Sequence, residues 1–484
     1  MQIPVLGSMS QYIAFHARHS ADAPAIVEGD LFVSYRTFAA DLVRCARAIE
    51  ALGVRPDMIV GIENPRRYMH LLLLLACEAI GAATASLPPD LNDDIIRHCG
   101  IILASRAPAA EDLPRTEVIP SEWPAALAAT VVSDEELTLL DREISPDSVA
   151  RIVRTSGTTG KQKAMCVTLG NELLRARRCI DRVEQDILPN PRFLCLYSLA
   201  VSNVYWRALG VLQFGGTLLF TLGRHAGPLI ASGAVNYAMF AVGDAERFVE
   251  VATPSPAGHV LRVEMFGAAL TPRLRGLVRE RLNARVANLY STNETSPIAI
   301  VGDDGIGTLC PGVEARVVDS SGRNVPLGET GMIRVRSETM VQGYFDNPAI
   351  TAAAFIDGWY VTNDIGFTPE PGKVVVLGRA DDMLNIGGVK VPPAPIEEQV
   401  RLIEGVRDVI VLSVASANEV GNLVTAIEID SDPLPEELTR RIGAIISKYV
   451  GKFEIMPLAS FPRTESGKIK RPEIEAAFRQ RQVL

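Results

Sequence analysis

Apolar residues recur at three- and four-residue spacing over 35–50, at Phe38, Leu42, Ala46 and Ile49; the pattern stops at Gly53, before the apolar run Met58 to Ile62. A 3.6-residue period puts these side chains on one face of a helix, and a short apolar run bounded by breakers suits a buried strand. Tyr68 to Ile80 repeats the helical period and ends at Gly81. Leu71 to Leu75 is the most membrane-like stretch, but His70 and Glu78 bracket it and it is too short to span a bilayer, so it predicts a buried helix. Alternating helix and strand units predict an α/β fold, without fixing whether its sheets are parallel. Leu274 to Leu282 reads as amphipathic; Ala315 to Val318 and Met332 to Val335 read as a hairpin about Ser320 to Asn324, and Pro371-Gly372 turns the chain into Val374 to Leu377.

Beyond about residue 380 the pattern changes to a helix near 395–404, strands near 407–414 and 422–429, and a helix from Pro435 to Tyr449. This predicts a separate α+β domain of about 100 residues. The expected division is a large domain of layered α/β sheets over 1–379 and a small one over 380–484. At 484 residues the chain has room for both, with a cleft between them.

Composition narrows the function classes. A net charge of -9 gives no basic face for nucleic acid, yet permits nucleotide binding, which needs only a few local amides and cations. The seven cysteines (45, 77, 99, 166, 179, 195 and 310) never form a CxxC pair, so neither a disulfide framework nor a zinc site is expected. A cytoplasmic protein with no secretory signal and no membrane span fits these features.

Three polar clusters carry candidate chemistry. Strand-like Ile152-Val153-Arg154 runs into Thr155-Ser156-Gly157-Thr158-Thr159-Gly160-Lys161-Gln162-Lys163, where glycines let amides converge, hydroxyls add donors and two lysines add charge, all suited to a polyphosphate. Two residues between Gly157 and Gly160 exclude a Walker loop, which needs four, and taken alone the segment reads equally as a surface loop of turn formers. The second cluster, Asn288-Leu289-Tyr290-Ser291-Thr292-Asn293-Glu294, follows Gly267-Ala268-Ala269 by about twenty residues. Tyr290 can stack on a purine, Asn288 can pair with its amino edge, and Glu294 can hold a magnesium ion bridging phosphates. The third, Gly358 to Asp364, precedes Gly378-Arg379-Ala380-Asp381-Asp382, and an acid such as Asp364 can accept ribose hydroxyls with an arginine's support.

With Pro462-Arg463-Thr464-Glu465-Ser466-Gly467-Lys468-Ile469-Lys470-Arg471 closing the series, the order and spacing of these motifs resemble the adenylate-forming superfamily of acyl-CoA synthetases, peptide-synthetase adenylation domains and luciferases. The resemblance covers nearly the whole chain. It implies an ATP- and Mg2+-dependent ligase that activates a carboxylic acid as its adenylate between a large N-terminal domain and a small mobile C-terminal one. On that resemblance 155–163 holds the pyrophosphate end of ATP and Tyr290 the adenine; Gly267, Ala268, Ala269, Asn288, Leu289 and Asn293 complete the nucleotide site. Glu294 ligates magnesium, Asp364 and Arg379 bind ribose, Asp381 is the hinge, and Lys468 bridges the acyl carboxylate and the α-phosphate. Gly387, Gly388 and Lys390 line the tunnel for a thiol arm, either coenzyme A or, as the alternative, the phosphopantetheine of a carrier protein. A nucleotide-binding relative without catalysis is the third reading, disfavoured by intact Lys468, Glu294 and Asp364.

The chain departs from the family pattern at Ser291 and Asn363, where glycine is usual, at Asn293 for threonine and at Gln162 for proline. None of these removes a charged group. Ser202, Asn203, Trp206, Leu289, Pro297 and Ile298 are the acyl-pocket candidates. The stretch 199–206 lacks the aspartate that holds an α-ammonium in amino-acid activators, so an uncharged pocket for an aryl or aliphatic acid is expected.

Overall fold

The computed structural model describes residues 3–107, 113–120, 123, 132–154, 163–184, 187, 190–267, 270–386, 389–391, 393–414, 422–429, 434–449, 453–463 and 469–481. The periodic segments form where the pattern puts them: helices at Tyr35–Ala51 and Arg67–Ala79, with a strand at Ile59–Glu63 between them. Leu71 to Leu75 are buried, and among the described residues no helix is long and apolar enough to cross a membrane.

Two large sheets make up the N-terminal part. The six-strand sheet runs Thr116–Val118, Ile101–Ala104, Ile59–Glu63, Ala83–Ser86, Val149–Arg154, Ala164–Thr168; all neighbours are parallel except the last pair. The second sheet has 14 strands. Its parallel half contains Arg192–Cys195, Thr217–Phe220, Tyr237–Ala241, Leu261–Phe266 and Ala284–Thr292. An antiparallel half follows through Ser296–Val301, Gly307–Leu309, Lys373–Arg379, Trp359–Phe367, Gly331–Ser337 and Val313–Val318. The parallelism left open by the sequence is thus mixed, and both strands of the expected hairpin are longer than their apolar cores. Between the sheets the helices Leu169–Glu184 and Ser202–Gln213 cross closely. A Cβ on Gly210 would collide with the Ala176 carbonyl oxygen, so only glycine permits this approach.

The small C-terminal part is α+β: Asp408–Val414 and Asn422–Glu428 pair antiparallel, and Phe453–Leu458 adds a parallel third strand. Helices Ala394–Arg401 and Glu436–Ile446 bury one face of this sheet, and Arg471–Arg481 covers the other. The third strand was not expected. Its sequence, FEIMPL, carries a proline and no clear alternation, a pattern that fits an edge position.

A buried acid pair joins the helices Arg67–Ala79 and Leu169–Glu184. Glu78 Oε1 accepts the Met9 and Ser10 amides at 2.7 and 3.2 Å, and Glu172 Oε1 accepts the Tyr205 hydroxyl at 3.3 Å. The two carboxyls interact side by side, and on each the Oε2 finds no other donor among the described residues, the arrangement expected of two acids sharing a proton. Burial, opposed by the charge of Arg151, pushes Glu172 up to about 7, and burial with the charge of Glu172 raises Glu78 as well. In the unfolded chain both return to about 4.3. The native state therefore binds more protons across that window, and the pair's contribution to stability, full below the unfolded value, is lost as pH rises through about 7. Thermal unfolding from pH 5 to 8 should show a falling midpoint whose slope is reduced by Glu172→Gln; equal slopes would contradict the shared proton.

Candidate active site

A cleft of about 3370 Å³ opens where parallel strands end, which is where ligands sit in open α/β sheets. Arg154 and Lys163, flanking the phosphate-loop segment, line it. So do Gly267, Asn288, Leu289, Tyr290, Asn293, Glu294, Asp364, Arg379 and Asp381, together with Arg463, Lys470 and Arg471 from the small C-terminal part. Residues from segments more than 300 positions apart, Arg154 and Arg471 among them, thus meet on one surface. Thr155, Ser156, Gly157, Thr158, Thr159, Gly160 and Lys161 lie outside the described residues, as do Ala268, Ala269, Gly387, Gly388 and Lys468. Lys390 is in the Val389–Val391 strand.

Asp364 and Arg379 are direct cross-strand partners in the Trp359–Phe367 and Lys373–Arg379 pair. An Arg379 nitrogen stands 3.7 Å from Asp364 Oδ1, and the Tyr290 hydroxyl donates to Asp364 Oδ2 at 2.6 Å. Burial, and then the charge of Asp364, raises the Tyr290 phenol well above its ordinary value, so it stays a donor. The Arg379 Nε is buried without a partner among the described residues, leaving one donor beside the carboxylate for an incoming hydroxyl. Asn363 takes φ +62, which explains the usual glycine there: the left-handed region suits glycine, and asparagine tolerates it better than most residues. Its Nδ2 donates to Asp381 Oδ2 at 2.6 Å. Ser291 is not among the positive-φ residues, so that departure carries no backbone strain.

Glu294 is buried and accepts the Tyr344 hydroxyl on Oε1 at 2.8 Å. Lys163 Nζ lies 5.0 Å from the Tyr344 ring centre, so one aromatic side chain meets both a cation and the Glu294 carboxylate. The turn that carries Glu294 is held by Arg175, a fully buried side chain that donates to the carbonyls of Asn293 (2.8 Å), Glu294 (2.8 Å) and Thr339 (2.7 and 3.0 Å). Burial pulls its pKa down to about 10, which leaves it charged at neutral pH. Sequence reasoning missed Arg175 because it sits in the run Arg175-Ala176-Arg177-Arg178, indistinguishable from the solvated face of a basic helix. Tyr344 was missed too, since it belongs to none of the motif clusters.

The acyl-pocket candidates divide. Ser202, Asn203 and Leu289 line the cleft. Trp206 does not: it is 1% exposed and packs on Tyr205 and beneath Arg175, because the Ser202–Gln213 helix turns that position toward the interior. Ile298 is fully buried in a separate apolar cluster, and Pro297 borders a small pocket with Arg178 and Cys310. Both follow the chain reversal after Thr292, which carries the second strand away from the cleft.

Comparison with known proteins places this geometry in context. A family model described as AMP-binding enzyme matches residues 13–345. Feruloyl-CoA synthase of Amycolatopsis sp is 28% identical over 96% of this chain and 97% of its own length. Phenyloxazoline synthase MbtB of Mycobacterium sp. (strain MCS) is 27% identical over 95% of this chain, which spans only 41% of that longer protein. The crystal structure of the anthranilate CoA ligase AuaEII in complex with anthranoyl-AMP superposes with a TM-score of 0.85 at 18% identity, covering 100% of both chains, a likeness of fold.

Proposed function

The chain belongs to the AMP-binding enzyme family and carries out adenylate-forming acyl activation, and from that premise we propose that it joins a carboxylic acid without an α-amine to coenzyme A through an acyl-AMP. The observation that carries this reading is the convergence of Tyr290, Asp364 and Arg379 with Glu294 on one cleft. In the first step a carboxylate oxygen attacks the α-phosphorus of ATP, an acyl O–P bond forms, the bond to the β-phosphate bridging oxygen breaks, and pyrophosphate leaves. Asp364 and Arg379 hold the ribose, with the Tyr290 hydroxyl fixing the Asp364 rotamer while its ring packs on adenine. Lys163 and the 155–161 segment neutralise the departing pyrophosphate.

For a divalent ion the donor set is sparse: among the described residues no three carboxylate, histidine or cysteine groups cluster, and Glu294 is the one acid on its turn. That fits Mg2+, which takes one or two protein carboxylates and fills its sphere with phosphate oxygens and water. The ion would supply charge neutralisation between phosphates, and Arg175 keeps Glu294 in register for it. Lys468 supplies the cation between the two anions that must meet. In the second step the thiolate attacks the acyl carbon and AMP leaves, with 380–484 turning about Asp381 to exchange Lys468 for the 387–390 segment.

Asp364→Ala removes the ribose acceptor and strands the Tyr290 hydroxyl, so KM for ATP should rise about 10- to 100-fold, with about 1–3 kcal/mol lost in stability; an unchanged KM would reject the ribose assignment. The acceptor is tested by offering the adenylated enzyme coenzyme A or a phosphopantetheinylated carrier protein and resolving the products by mass. Acyl-CoA is expected. A thioester on the carrier alone would favour an enzyme that loads a carrier protein.

A further inference from the structure

Resting on the adenylation reading and on the turn about Asp381, we infer that Asn363 is a latch on the hinge: a positioning residue that holds 380–484 in the arrangement of the first step and lets go before the second. The position already stands out in the sequence, since glycine is usual there and asparagine adds a side-chain amide that glycine lacks. That amide meets the hinge itself. Asn363 Nδ2, on the Trp359–Phe367 strand, donates to Asp381 Oδ2 at 2.6 Å, in the single turn Ala380–Asp382.

The two carboxylates of this turn are held from opposite sides. Asp381 is held by the large part: besides the Asn363 bond, Arg379 Nη2 lies 3.8 Å from the same oxygen. Asp382 is held by the small part, with its Oδ2 3.7 Å from Arg471 Nε. Arg471 donates in turn to the Val411 carbonyl and to Glu397 Oε1, both at 3.3 Å, so it is anchored in the small part. A rotation in φ at Asp381 carries its carboxylate off Asn363. The Asp382 pair travels with the small part, so the turn breaks the first contact and keeps the second.

The direction of the latch follows from what faces the cleft while the bond stands. Arg463, Ile469 and Lys470, which flank the Lys468 segment, line it together with Asp364 and Glu294. That is the arrangement adenylate formation requires, so the latch favours the first step and delays the exchange of Lys468 for the 387–390 segment. A net hydrogen bond of this kind shifts an equilibrium by a factor of about 2 to 10. A hold of that size suits a hinge that must release in every turnover.

Glycine takes the φ of +62 at this position without strain, so Asn363→Gly removes the amide and leaves the strand and the neighbouring Asp364 in place. The variant should form thioester from supplied acyl-AMP and coenzyme A about 2- to 10-fold faster than the native enzyme, while acid-dependent pyrophosphate exchange stays within about 2-fold. Trypsin should cut it after Arg379 correspondingly sooner, followed by mass, since cleavage samples the released hinge. Asn363→Asp, which sets a second carboxylate against Asp381, should act in the same direction. An unchanged thioester step in Asn363→Gly overturns the inference whatever the cleavage rate. So does a variant that loses exchange and thioester formation together, because that marks Asn363 as a support for Asp364. Exchange with no acid in the native enzyme would instead strike the adenylation reading and the latch with it.

Discussion

Lys468→Ala is expected to lower adenylate formation by roughly 10²- to 10³-fold while leaving thioester formation from supplied acyl-AMP largely intact. The barrier that Lys468 lowers is electrostatic. A carboxylate must reach a phosphorus surrounded by anionic oxygens, and in a cleft with little water the repulsion falls steeply only if a cation stands between them. Arg379 is engaged with Asp364, and Lys163 lies beside Tyr344, so neither side chain is placed for that bridge. On the family resemblance that bridge falls to Lys468, in its Thr-x-x-Gly-Lys setting. Adenylate and thioester are followed separately by quenched-flow chromatography. Equal loss of both steps would reject the division of labour between Lys468 and the 387–390 segment.

Glu264→Leu should destabilise the protein by about 3–5 kcal/mol, the largest effect expected of a residue outside the cleft. Arg207 is 1% exposed and its Nε donates to Glu264 Oε2 at 2.5 Å, with the Tyr237 hydroxyl donating to the same oxygen at 2.8 Å. Burial opposes the charge on Arg207, but Glu264 outweighs it and raises the guanidinium pKa. Removing the acid leaves a cation inside the protein. Because Arg207 also caps the Asn203 carbonyl, the helix that brings Ser202 and Asn203 to the cleft should loosen with it. Denaturant unfolding should show most of the loss recovered in Glu264→Leu/Arg207→Met, which removes both charges. A cost under 1 kcal/mol for the single variant would contradict this role.

Much of the site was legible because its parts are contiguous in sequence. Tyr290 and Glu294 sit on one strand and the turn that follows it, Asp364 and Arg379 face each other across one hairpin, and each motif keeps its order along the chain. The helical periods at 35–50 and 68–80 also carried through, since one buried face fixes a helix whatever lies beyond it. What stayed hidden depends on faces. Trp206 and Ser202 lie four residues apart on one helix, yet one meets the core and the other the cleft, because the helix is buried nearly all round and its period no longer marks a side. Pro297 and Ile298 were drawn toward the cleft by proximity in sequence, and the antiparallel reversal removes them.

Arg151 and Arg175 were hidden for a related reason. Each is a charged residue in the interior, where pattern reading expects apolar ones, and each is stabilised by carbonyls or hydroxyls from distant segments. Only the packed structure brings those acceptors to them. Arg175 holds the turn that presents Glu294, and Arg151 acts on the buried Glu172.

The most direct measurement of the central claim is exchange of labelled pyrophosphate into ATP by the purified protein, with Mg2+ and each of a panel of aryl, aliphatic and dicarboxylic acids. Acyl activation through a reversible adenylate predicts label in ATP only when a suitable acid is present, and its loss on chelating Mg2+. Exchange that does not depend on acid, or none with any acid, would contradict it.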